Sequence, residues 1–198
     1  MSTSSVVSSG SGALRALVAD ERPDTLDAAA DLVRAAGHEV LACSARPERV
    51  AALAAEHDVE LVVVAWDSDG PPARALVDRL NDTARCPVVL LLDDDNPDLV
   101  ARALDRGVDA YADRATPGAL QTAIDLAGRR FAAHEASERR SAIERAKGVL
   151  MERHDIDEKD AYRRLRAEAR ARRVSVAELA EAVLHTRGLL PGRRPPEP

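Results

Sequence analysis

The chain has 198 residues, 34 acidic and 28 basic side chains, a net charge of -6 and a pI near 5.4. That length holds one ordinary domain plus a small one, and that charge rules out attraction to a polyanion by bulk electrostatics. No apolar run nears the roughly 20 residues of a membrane-spanning helix, so no membrane association is expected.

Residues 1–12, rich in Ser and Gly, lack the basic stretch and apolar core of a signal peptide and are expected to be a disordered tail. From 13 to 130 strand and helix patterns alternate. Strands are expected at 14–19, 38–44, 61–65, 88–92 and 110–112, with helices at 25–36, 47–57, 73–81, 97–106 and from 117 onward. Five strands and five helices in strict alternation predict an α/β fold, a doubly wound parallel sheet. Chemistry in such a sheet belongs at the carboxyl ends of the strands. There the sequence places Asp20 and Glu21 after the first strand, Trp66 and Asp67 after the third, Asp93 to Asp95 after the fourth and Arg114 after the fifth. Acids are also common in loops and helix starts, and Asp24 and Asp95 are candidate helix caps. Cys43 and Cys86 lack metal-ligand spacing and read as buried, reduced thiols of a cytoplasmic protein. No nucleophile–base pair, P-loop or metal cluster points to an enzyme.

In the helix from 117 to about 134, Leu120, Ile124, Ala127, Phe131 and His134 recur at a three–four spacing. The first three are expected to pack on the sheet. Phe131, the chain's only phenylalanine in a mostly charged stretch, is expected to be a dimer contact.

The run Ile143-Glu-Arg-Ala-Lys147-Gly148-Val-Leu-Met151 then sets a lysine and a glycine inside a helix. Ile143, Lys147, Leu150, Met151 and His154 share one face, where a plain core helix would carry leucine at 147. Gly148 costs about 1 kcal/mol relative to alanine, which predicts that something needs close approach there. Asp157 is placed to cap a second helix through Arg172, with Ala161, Leu165 and Ala169 inward, and Tyr162 is expected in the core. Ser175 and Glu178 form a capping box for a third helix packed through Val176, Leu179, Val183 and Leu184. Arg163, Arg164, Arg166, Arg170, Arg172 and Arg173 face only Glu168 in the same stretch, a local basic surface on an acidic protein. Residues 191–198 read as a proline-rich disordered end.

The AKGVLM core, followed by Ala161-Tyr-Arg-Arg-Leu-Arg166 and by the helix from Ser175, resembles the ANTAR domain, an RNA-binding three-helix module of bacterial antitermination regulators. The resemblance covers about residues 136–190. The first part, residues 13–130 with a linker helix to about 135, is similar to the receiver domain of two-component response regulators. The ANTAR resemblance implies a cytoplasmic homodimer that binds paired hairpins in nascent RNA. It makes Arg145, Lys147, Arg166, Arg172 and Arg173 the candidate RNA contacts, with binding that weakens steeply with salt.

The receiver resemblance implies an acidic pair for Mg²⁺, met by Asp20 and Glu21, so that residual Mg²⁺ binding is the one cofactor expectation. The phosphoacceptor slot falls on Ala65, which has nothing to phosphorylate, and Asp67 lies two residues on. The hydroxyl position falls on Leu92 and the lysine position on Arg114, while Tyr111 matches the switch aromatic. Loss of acceptor, hydroxyl and lysine together predicts a degenerate receiver that works without phosphorylation. Two alternatives stand beside this reading. One is a DNA-binding response regulator, disfavoured by Glu178 and Glu181 on the would-be reading helix. The other is an adaptor that docks a regulatory protein partner.

Overall fold

The computed structural model describes residues 12–65, 75–80, 85–93, 97–116 and 118–188. They fall into two compact units, divided after Ala132. In the first, β1 (Arg15–Asp20), β2 (Glu39–Ser44), β3 (Leu61–Ala65), β4 (Val88–Leu92) and β5 (Ala110–Asp113) form one parallel sheet in the order β2-β1-β3-β4-β5. The helices are α1 (Pro23–Ala35), α2 (Pro47–Glu56), α3 (75–80), α4 (Pro97–Asp105) and the start of α5 (Ala119–His154).

Aliphatic side chains alternate between the two faces because a strand has a period of two. Leu17, Val62, Val64, Leu90 and Leu92 enter one core; Val18, Leu61, Val63, Val89 and Leu91 enter the other, beneath Leu120, Ile124 and Ala127 of α5. The three α5 positions thus pack as their spacing predicts. Gly37 (φ 89°) and Gly107 (φ 94°) follow α1 and α4, where the chain turns through a left-handed conformation that favours glycine.

Some boundaries shift. β1 runs one residue further than expected, so Asp20 is the last residue of the strand and is buried. Asp24 does not cap α1. The N-cap is Arg22 without a side-chain bond, Pro23 opens the helix, and Asp24 sits in the first turn, where its charge still suits the helix dipole. Cys86 is buried, which pushes its thiol up to about 12, whereas Cys43 is only half-buried because β2 is an edge strand. Asp67, Trp66, Asp95 and the two expected tails up to residue 11 and from 191 lie outside the described residues.

The second unit is built from the later part of α5 with α6 (Glu158–Arg172) and α7 (Val176–Gly188). α5 continues without a break because residues 132–141 hold good helix formers and neither Gly nor Pro. Asp157 caps α6, its carboxylate accepting the Asp160 N–H at 2.7 Å. The Ser175 hydroxyl accepts the Glu178 N–H at 3.1 Å, and the Glu178 carboxylate accepts the Ser175 N–H at 2.7 Å. Both caps stand as the sequence predicts. Ala142, Ala146, Leu165, Ala169, Leu179 and Ala180 form the core, with Ile143, Leu150, Val176, Val183 and Leu184 around it. Four alanines in six positions let the helices approach closely.

Candidate nucleic-acid interface and the acidic sheet end

At the carboxyl end of the sheet, strand register sets Asp20 beside Ala65. Asp20 is 3% exposed. Its carboxylate accepts the Arg22 N–H at 2.9 Å and the Thr25 hydroxyl at 2.7 Å. The Arg114 guanidinium reaches in from β5, with Nη2 3.5 Å from Asp20 Oδ2 and Nε 2.6 Å from Asp93 Oδ1. Arg22 Nη2 takes the other Asp93 oxygen at 3.1 Å. Leu92 is buried and accepts the Arg114 N–H through its carbonyl at 2.8 Å. The void beside Ala65, lined by Asp20, Ser44 and Leu76, measures about 10 Å³, room for one water at most. Tyr111 is exposed, and so is Glu21.

In the helical unit the buried seam of α5 runs through Ala142, Ala146 and Val149, so the packed face is turned from the one expected and leaves His154 in solvent. Lys147 borders that seam and is buried, as its place beside the core requires. Its ammonium lies 2.6 Å from Glu144 and 2.6 Å from Glu158. Hydrogen bonds to Glu144 and Glu158 hold its pKa above the ordinary lysine value. Lys147 forms the floor of a groove of about 840 Å³ lined also by Arg140, Ile143, Glu144, Glu158 and Tyr162.

Two expectations are corrected here. Tyr162 is 43% exposed and lines the groove instead of filling the core. The inward positions of α6 are Ala161, Leu165 and Ala169, one residue before Tyr162 and then every fourth, which turns the ring off the seam. Gly148 is exposed, and a Cβ at that position meets nothing within 4 Å, so no described residue needs the close approach.

At 3.6 residues per turn, Tyr162, Arg166 and Arg170 form one stripe on α6, and Arg173 follows as the left-handed C-cap of the helix. Arg166, Arg170 and Arg173 are exposed and have no ion pair among the described residues. Arg172 falls outside the stripe, paired with Glu168 at 2.7 Å, and Arg163 pairs with Asp160. Of the five sequence candidates, Arg166 lies on the stripe, Arg173 caps the end of the same helix, and Lys147 lies in the groove that Tyr162 also lines. Arg145 is exposed on α5.

Residues 132–184 match the ANTAR domain. Over 88% of this chain and 91% of that protein, the sequence is 30% identical to the transcriptional regulatory protein PdtaR of Mycobacterium tuberculosis. The chain belongs to the ANTAR response regulators.

The first unit shares its fold with solved signal receiver domains. One, from the modulated diguanylate cyclase of Desulfovibrio desulfuricans G20, has a TM-score of 0.52 and 14% identity over 62% of this chain and 98% of that one. Another, from an HD domain-containing protein of Pseudomonas fluorescens Pf-5, has 0.50 and 18% over 61% and 98%. At these identities the likeness concerns the fold alone.

Three residues at these two places were not among the sequence candidates: Tyr162, which was expected in the core, Arg170 and Arg22. The first was legible: the Ala161-Leu165-Ala169 seam already sets position 162 to one side. Arg22 carried no signal, because only folding brings it 71 residues along the chain to Asp93.

Proposed function

We propose that this regulator binds paired hairpins in nascent RNA through its ANTAR domain and thereby favours antitermination of transcription. The observation that carries the reading is the stripe Tyr162-Arg166-Arg170 with Arg173 at the helix end, three arginines without ion pairs among the described residues beside one exposed ring, within the residues that match the ANTAR domain. Arginine planes and one tyrosine suit splayed loop bases and phosphates of RNA. They suit a DNA major groove poorly, because α7, the helix that would read it, carries Glu178 and Glu181.

The receiver-like unit works without phosphorylation in this reading, because Ala65 and Leu92 offer neither an acceptor nor a hydroxyl. It controls dimerisation or access to the RNA face. Phe131, half-buried on α5, is the proposed homodimer contact, and the protein acts in the cytoplasm.

The test is titration of the purified protein against an RNA with two adjacent hexaloop hairpins, a loop-mutated RNA and a matched DNA duplex. Selective binding to the paired hairpins is expected. Equal affinity for all three would remove the selective RNA reading, and binding to none would leave a protein-docking adaptor.

A further inference from the structure

We infer that Arg114 is a built-in counter-cation that takes the place of a divalent metal at the sheet end, so that this pocket excludes Mg²⁺. The inference rests on the geometry of the sheet end and is independent of the RNA reading.

Magnesium needs oxygen ligands at about 2.0–2.1 Å in near-octahedral array and keeps several of its waters. The described donors here are already spent. Asp20 meets a backbone N–H at 2.9 Å, a hydroxyl at 2.7 Å and a guanidinium at 3.5 Å, and is 3% exposed, which leaves no room for metal-bound water. Both Asp93 oxygens face guanidinium groups, from Arg114 at 2.6 Å and Arg22 at 3.1 Å. Glu21 remains as a single exposed carboxylate, and among the described residues no three acidic, His or Cys side chains are grouped to hold an ion.

Among the described residues the buried and paired charges balance without a metal. Asp20 and Asp93 contribute two negative charges, and Arg114 and Arg22 two positive ones. A divalent ion added to this group would leave it strongly positive at short range. Arg114 suits the task because its flat, permanently charged fork faces carboxylates at the ends of two strands, where a lysine would offer a single point. Its buried nitrogens have no aligned hydrogen-bond acceptor, so it serves here as a charge more than as a directional donor.

The experiment is Mn²⁺ binding to the full chain, followed by the loss of free-ion paramagnetic resonance signal, with Mg²⁺ competition and thermal melts in parallel. Wild type is expected to show no saturable Mn²⁺ binding that depends on Asp20. Arg114→Gln should gain a site of at least about tenfold higher affinity, lost again when combined with Asp20→Asn. If Arg114→Gln lowers the melting temperature, Mg²⁺ should restore it. Asp20-dependent Mn²⁺ binding by wild type would overturn the inference. So would a folded Arg114→Gln that gains no affinity, or a destabilised one that Mg²⁺ leaves unchanged.

Discussion

Lys147 Nζ lies 2.6 Å from Glu158 Oε1, a contact that ties α5 to the first turn of α6 at the floor of the groove. Glu144 stands at the same distance from the same ammonium, so two carboxylates mask one positive charge. Phosphate approaching Lys147 must compete with them.

It follows that Glu158→Gln should bind RNA several-fold more tightly than wild type. The slope of log affinity against log salt should steepen by about 0.7, one added phosphate contact. Lys147→Met, which keeps the buried stem and loses the charge, should bind more weakly with little change in melting temperature. Equal RNA affinity in both folded variants would make Lys147 a structural tie between helices and nothing more. Electrophoretic shift across a salt series reads both.

The arginines should separate by their partners. Arg166→Ala and Arg170→Ala, free of ion pairs among the described residues, should each flatten the salt slope by about 0.7. Arg172→Ala should change it less, because Glu168 already holds that guanidinium at 2.7 Å. The same salt series distinguishes the stripe from a diffuse basic surface, on which all three would count alike.

Two backbone positions predict gains in stability. Arg173 ends α6 in the left-handed region (φ 59°), where a side chain costs about 1 kcal/mol that glycine does not. Gly148 sits exposed in a helix interior with open space at its Cβ, so alanine should be worth about 1 kcal/mol. Urea denaturation of Arg173→Gly and Gly148→Ala should each show that rise. Arg173→Gly should weaken RNA binding as it stabilises the fold.

The α7 cap should carry an acid-side signature. The Ser175 N–H and hydroxyl hold the Glu178 carboxyl below its ordinary value of 4.5. A depressed carboxyl stabilises the fold fully above its unfolded pKa, and that stabilisation is lost as pH falls through the folded value. Melting temperature across the range below about pH 5 should therefore fall more steeply in wild type than in Glu178→Gln. Above that range the substitution should lower it, since an uncharged amide caps less well.

How much was legible in the sequence depended on how local each cause was. The continuous aliphatic run Leu61-Val-Val-Val-Ala65 and the glycines at 37 and 107 determine strands and stops over a few residues, and the structure follows them. The Asp157 cap and the Ser175–Glu178 box are contacts three residues apart, and the ANTAR pattern lies along contiguous helices. Helical phase was a finer matter. A one-residue difference in which α5 positions meet α6 and α7 moved His154 into solvent, and one position on α6 turned Tyr162 outward. Only tertiary structure decided the rest. The pairing of Arg114 with Asp20 and Asp93, and of Arg22 with Asp93, depends on strand order and side-chain reach across the sheet end. The masking of Lys147 by Glu158 depends on how α6 returns against α5. Charge partners separated along the chain are chosen by packing, and no spacing in the sequence records them.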